Sequence, residues 1–117
     1  MDNFKILCYY GIQRYVYVHQ TIDDVNYRTF FEIDWNMLNF QCDLHSHPTA
    51  INLKPKNFEL MKKYASKLSK PFIFVRVDFY VFGDEIRLGE LTFTPMNGFL
   101  FCRREDDIEL GKFLQIS

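Results

Sequence analysis

The 117-residue chain has the length of one domain, 1–117, and 48% hydrophobic content is enough for a sizeable core. Aromatics make up 18%, with 13 Phe and 7 Tyr, which favours sheet. The formal net charge of −1, with Lys and Arg spread along the chain, argues against nucleic acid or an anionic membrane surface as the main partner.

Cys8, Cys42 and Cys102 are sparse, odd in number and without CxxC spacing, so a reduced, cytoplasmic protein is expected. The opening MDNFKILCYYG has no basic stretch followed by a long apolar run, as a signal peptide would. The longest apolar run, Phe72 to Val75, is far too short to cross a bilayer.

Phe4 to Tyr10 and Arg14 to Gln20 alternate as strands, and Gly11 between them predicts a hairpin. Arg28 to Ile33 predicts a third strand. Asp34-Trp-Asn36 is a turn, because Asp and Asn bond to nearby backbone, and Met37 to Phe40 is a short fourth strand. Residues 41–54 are polar and irregular, a loop.

Pro55 to Leu68 is the principal helix. Phe58, Met61, Ala65 and Leu68 recur at helical spacing with Tyr64 beside them, and Lys56, Lys62, Lys63 and Lys67 take the wetter face. Pro55 suits the first turn, and Ser69-Lys70-Pro71 ends the helix. Two long strands follow, Phe72 to Phe82 and Ile86 to Pro95. The tail from Gly98 is weakly patterned. Together these elements predict an α+β fold: an antiparallel β-sheet with one principal helix packed on it.

In the first long strand, Phe74, Arg76, Asp78, Tyr80 and Phe82 share a face. Ile73, Val75, Val77, Phe79 and Val81 share the other, which should pack on the helix. Asp78 and Glu90 are carboxylates among hydrophobic neighbours, and unpaired charge is costly away from water. Register decides whether they meet. A two-residue turn at Gly83-Asp84 sets Asp78 opposite Gly89; a longer loop or a bulge sets it opposite Glu90. Hydrophobic segregation of Val77 and Leu91 favours the even register, with both carboxylates on one face. Two readings then stand. One is an Mg²⁺ site of hard oxygen ligands, with the Arg76 fork on a phosphate. The other is a structural Arg76–Asp78 or Arg76–Glu90 ion pair.

The block Pro71-Phe-Ile-Phe-Val-Arg-Val-Asp-Phe-Tyr80, then Gly89-Glu-Leu-Thr-Phe-Thr-Pro-Met-Asn-Gly-Phe99, resembles the metal-binding end of the ATP-grasp superfamily, in its TupA-like branch. Asp2-Asn-Phe-Lys5, Cys8-Tyr-Tyr-Gly11, Asp34-Trp-Asn36, Lys54-Pro-Lys-Asn57 and the stretch from Asp107 to Gly111 are similar to that branch as well. The resemblance implies the fold of an ATP-grasp C-terminal subdomain. It implies ATP and Mg²⁺ as cofactors, and conversion of a small-molecule carboxylate into an acyl phosphate that an amine attacks, in cell-surface polysaccharide synthesis. By resemblance, Asp78, Glu90 and Thr92 are metal ligands, although Thr92 stands where the wider superfamily usually has Asn. Arg76 has the catalytic phosphate contact, and Arg76 and Lys5 bind the nucleotide.

The sequence contains no GxGxxG or GxxxxGK[ST] phosphate loop. It is expected to correspond to the second half of such a site and to be inactive alone. A missing first half or a homodimer is the expected partner. The alternative is a non-catalytic, self-associating or ligand-binding module, joined through apolar groups such as Phe74 and Phe82.

Cys42, Asp43, His45 and His47 lie close enough in sequence to suggest zinc, against a solvated loop. His19 is read as a half-buried structural histidine. Tyr9, Tyr10, Tyr15, Tyr17 and Trp35 offer a carbohydrate platform, but core packing accounts for them more simply.

Overall fold

The computed structural model describes residues 2–38 and 54–93. Five strands and one helix occur among them: β1 (Asp2–Tyr9), β2 (Ile12–Ile22), β3 (Val25–Glu32), α1 (Phe58–Ser69), β4 (Phe74–Phe82) and β5 (Glu85–Thr92). All strand pairings are antiparallel, in the order β3-β2-β1-β4-β5. This is the α+β architecture expected, with β1 at the centre of the sheet.

Three two-residue turns fold the hairpins. Tyr10 and Gly11 both have positive φ, as do Asp23 and Asp24, the pattern of type I′ turns matched to strand twist. Gly83 has φ 61° and no positive φ is found at Asp84, the type II′ pattern. The Asp23-Asp24 turn lets β2 and β3 run further than their predicted ends at Gln20 and Arg28, to Ile22 and from Val25. Aspartate tolerates the left-handed region better than most residues, so the pair serves without glycine.

Alternation divides the sheet into two faces. Phe4, Ile6, Cys8, Val16, Val18, Phe31, Val75, Val77 and Phe79 form one cluster with Phe58, Met61 and Ala65 of α1. Helical spacing and strand spacing thus meet on the same apolar surface. Leu68 is partly buried against this cluster, while Tyr64 is 45% exposed. Ile73 and Phe72 precede β4 rather than opening it, and both are exposed.

Trp35 sits in the turn at φ 74°, a strained conformation for a bulky residue. Its ring stacks on Phe31 at 4.1 Å and meets Phe58 edge-on at 5.2 Å, so burial holds the turn. Asn36 Nδ2 donates to Asp34 Oδ2 at 2.9 Å across it. Of the predicted strand at Met37 to Phe40, the described part is a single bridge between Met37 and Phe31.

No helix among the described residues is long and apolar enough to cross a membrane. Cys42, Asp43, His45, His47, Cys102 and the stretch from Asp107 to Gly111 lie outside the described residues.

Candidate functional site

The face turned away from α1 carries the charges. Lys5 of β1 is paired in register with Asp78 of β4 on one side and Tyr17 of β2 on the other. Two bulges, one in β2 and one in β5, bring Tyr17 and Glu90 onto this face. Leu7 pairs with Tyr15 but Cys8 with Gln13, so β2 carries an extra residue at Arg14. Without it, the two-residue turn at Tyr10-Gly11 would set Val16 opposite Lys5 and put Tyr17 on the helix side.

The second bulge lies in β5. Beyond the Gly83-Asp84 turn, Phe79 pairs with Leu88, but Val77 pairs with Leu91 and Arg76 with Thr92. One extra residue on β5 therefore restores the even register and sets Asp78 beside Glu90. The expected register is present, reached through a short turn plus a bulge rather than a longer loop. Gly89 sits at the bulge with no side chain to spare room for: a Cβ there would collide with the ring of Tyr80.

Arg76 links the group. Its Nε donates to Asp78 Oδ1 at 2.9 Å and its Nη2 to Asp78 Oδ2 at 3.1 Å, a bidentate fork. The same Nη2 reaches Glu90 Oε1 at 3.3 Å. Nη1 donates to the Tyr17 hydroxyl at 3.1 Å. Lys5 Nζ adds a fourth donor group, 2.8 Å from Asp78 Oδ2. Asp78 is 1% exposed, so its charge is tolerable only because two cations and three charge-assisted bonds surround it. Glu90, at 66% side-chain exposure, forms the open rim.

The electrostatics follow from that geometry. Burial alone would lower the Arg76 pKa, but its bonds to Asp78 and the nearby Glu90 charge hold it above its ordinary value. Burial pushes the Tyr17 hydroxyl up, partly offset by the positive charges of Arg76 and Arg28. The Arg28 guanidinium lies over the Tyr17 ring, 5.5 Å from its centroid.

Of the residues named from sequence, Lys5, Arg76, Asp78 and Glu90 are brought together by direct contacts. Thr92 lies opposite Arg76 in the ladder. Tyr17 is the member that sequence reasoning placed elsewhere. The bulge at Arg14 decides its face, and no glycine marks that bulge. Phe74, expected on an exposed apolar surface, is 5% exposed and packs edge-on against Tyr9 at 5.1 Å; Phe82 is exposed. Tyr9, Tyr15, Tyr17 and Trp35 are buried, which favours packing over a carbohydrate platform, and Tyr10 alone of that set is exposed. His19 is half-buried, as expected.

Asp78 and Glu90 offer hard oxygen donors, and one nitrogen of Arg76 already touches both carboxylates. Both carboxylates thus face one cationic nitrogen, and oxygen donors of this kind suit a magnesium-type ion, which uses one or two carboxylates with water or phosphate oxygens. No cluster of three or more His, Cys, Asp or Glu able to hold a metal occurs among the described residues. An apolar cavity of about 290 Å³, lined by Tyr64, Lys67, Leu68, Phe79, Ile86 and Leu88, lies on the helix side.

In a comparison with known families, the model of the family described as TupA-like ATPgrasp matches residues 1–115. No curated protein and no solved structure matches the chain.

Proposed function

The chain belongs to the TupA-like ATP-grasp family, and from that premise we propose that the Lys5–Arg76–Asp78–Glu90 face binds the phosphates of ATP with Mg²⁺. In this reading it serves the ATP-dependent joining of a small-molecule carboxylate to an amine in cell-surface polysaccharide synthesis. The observation that carries the reading is the convergence of Asp78 and Glu90 on one Arg76 nitrogen.

Asp78 and Glu90 would hold the divalent ion, with Thr92 as a weaker oxygen donor beside Arg76. The ion supplies positive charge against the phosphate oxygens. Arg76 presents a planar fork suited to a phosphate, and Lys5 a compact ammonium group beside it. Their role is to offset charge that develops during phosphoryl transfer, which preorganised cations do well in a site partly shielded from water. Before ligand arrives, Asp78, buried and paired, holds both cations beside the site.

The sequence has no glycine-rich phosphate loop, and the chain by itself is proposed to bind nucleotide without turning it over. Thermal unfolding with and without Mg²⁺-ATP tests the binding. A raised midpoint that disappears in Glu90→Gln is expected. No shift in the wild-type chain overturns the nucleotide reading. Mg²⁺-dependent ADP release with a carboxylate and an amine would refute the inactivity of the isolated chain.

A further inference from the structure

The charged face is closed on itself. Two cations, Lys5 and Arg76, neutralise two anions, Asp78 and Glu90, and the groups are joined by contacts of 2.8 to 3.3 Å. A phosphate arriving alone must draw Arg76 away from Asp78, leaving a carboxylate that is 1% exposed with Lys5 as its remaining ion-pair partner. Stranding buried charge in this way is strongly unfavourable. A divalent cation arriving alone must enter where Arg76 and Lys5 already stand, and like charges repel. Arriving together, the two remove both obstacles: the metal takes the carboxylates, and the released guanidinium meets the phosphate.

We propose that Arg76 and a divalent cation exchange at the Asp78–Glu90 pair, so that metal and polyphosphate bind cooperatively. Tyr17 is the positioning residue that retains Arg76 during the exchange. This rests on the reading of Asp78 and Glu90 as metal ligands. Of the four contacts Arg76 makes with Asp78, Glu90 and Tyr17, three go to carboxylate oxygens and are lost on exchange. The fourth, from Nη1 to the Tyr17 hydroxyl at 3.1 Å, involves no carboxylate and can persist. Tyr17 is 3% exposed and held in the sheet, so it is a fixed pivot. Coupling of this kind is reciprocal: each ligand raises the affinity for the other by the same factor.

The test uses the full chain, with Mn²⁺ and inorganic tripolyphosphate titrated separately and together by calorimetry. Circular dichroism confirms that each variant is folded. Arg76→Met removes the competing cation. It is expected to bind Mn²⁺ alone about tenfold more tightly than wild type and tripolyphosphate about tenfold more weakly, the scale of a modest coupling free energy. Tyr17→Phe is expected to leave Mn²⁺ binding alone unchanged while lowering affinity for the Mn²⁺–tripolyphosphate pair several-fold.

Equal or weaker Mn²⁺ binding by Arg76→Met overturns the exchange. If wild type binds Mn²⁺ and Asp78→Asn does not, the ligand assignment survives that failure. No Mn²⁺ binding by wild type or Arg76→Met overturns both. An unchanged response of Tyr17→Phe to the pair assigns Tyr17 to packing alone and removes it from the proposal. Should Arg76→Met not fold, Arg76→Lys takes its place: it keeps the charge and loses the fork, so Mn²⁺ affinity alone is expected to stay within about twofold of wild type while tripolyphosphate affinity falls. A large change in Mn²⁺ affinity there, in either direction, overturns the exchange by charge.

Discussion

The central strands present two unlike faces built from alternate residues. On one, Ile6, Val16, Val77 and Phe79 pack against Met61 and Ala65 of the helix, and the hydrophobic effect holds them. On the other, one residue along each strand, Lys5, Tyr17 and Asp78 meet Arg76 through directed bonds. Within one register the apolar face tolerates small shifts, because its interactions are non-directional, whereas the charged face needs its bonding distances. A slip of one residue is tolerated by neither: it would send Tyr17 or Glu90 to the helix side and Val16 or Leu91 to the charged side. The bulges hold both faces in the one register. Each hairpin beside β1 and β4 ends in a tight two-residue turn and then inserts one residue, which realigns the charged face while keeping the apolar one continuous.

The largest expected effect comes from removing the anion at the centre of the charged face. Asp78→Ala should cost about 3–5 kcal/mol in chemical denaturation, because two part-buried cations lose their shared partner. A cost near zero would mean that the charged face is not held by ion pairing at all.

On the apolar face the matching probe is Cys8. Burial pushes its thiol up to about 11 from an ordinary 9.0, with a bond from the Ser69 side chain pulling slightly the other way. The folded state therefore holds the thiol proton more tightly than the unfolded state. Stability from this group is fully present below pH 9 and is lost as pH rises from 9.0 towards about 11. The loss should reach about 2–3 kcal/mol, and it should be missing when Cys8→Ala is compared with wild type across the same range. Parallel curves for the two proteins would contradict the burial of Cys8.

Gly89→Ala tests the join between the faces. The added methyl group meets the Tyr80 ring, and overpacking of this kind costs about 1–3 kcal/mol. Amide exchange should quicken in β5, where the ladder is locally disturbed. A neutral substitution would show that the bulge can move. Glu90→Gln should cost least, under about 1 kcal/mol, because an exposed ion pair is weak. A larger loss of stability would show that Glu90 is structural rather than reserved for a ligand.

Much of this was legible in the sequence, and for physical reasons. Alternation in β1, β2 and β4 and helical spacing in α1 report burial directly. The even register at Asp78 and Glu90 followed from segregating Val77 and Leu91. The route to it was less legible: Gly83-Asp84 signals a tight turn, while a bulge at Gly89 depends on how Tyr80 lies over the backbone. Tyr17 was visible as an aromatic but not as a partner of Arg76, because its face depends on an extra residue at Arg14. Phe74 was expected on an exposed surface, since nothing local to β4 announces its contact with Tyr9.

The most direct measurement is a crystal structure of the chain grown with Mn²⁺ and a non-hydrolysable ATP analogue, using the anomalous signal of the metal. The account predicts an ion between Asp78 and Glu90, with Arg76 turned to a phosphate and still bonded to Tyr17. A metal bound elsewhere, or Arg76 still forked on Asp78 beside bound nucleotide, would contradict it.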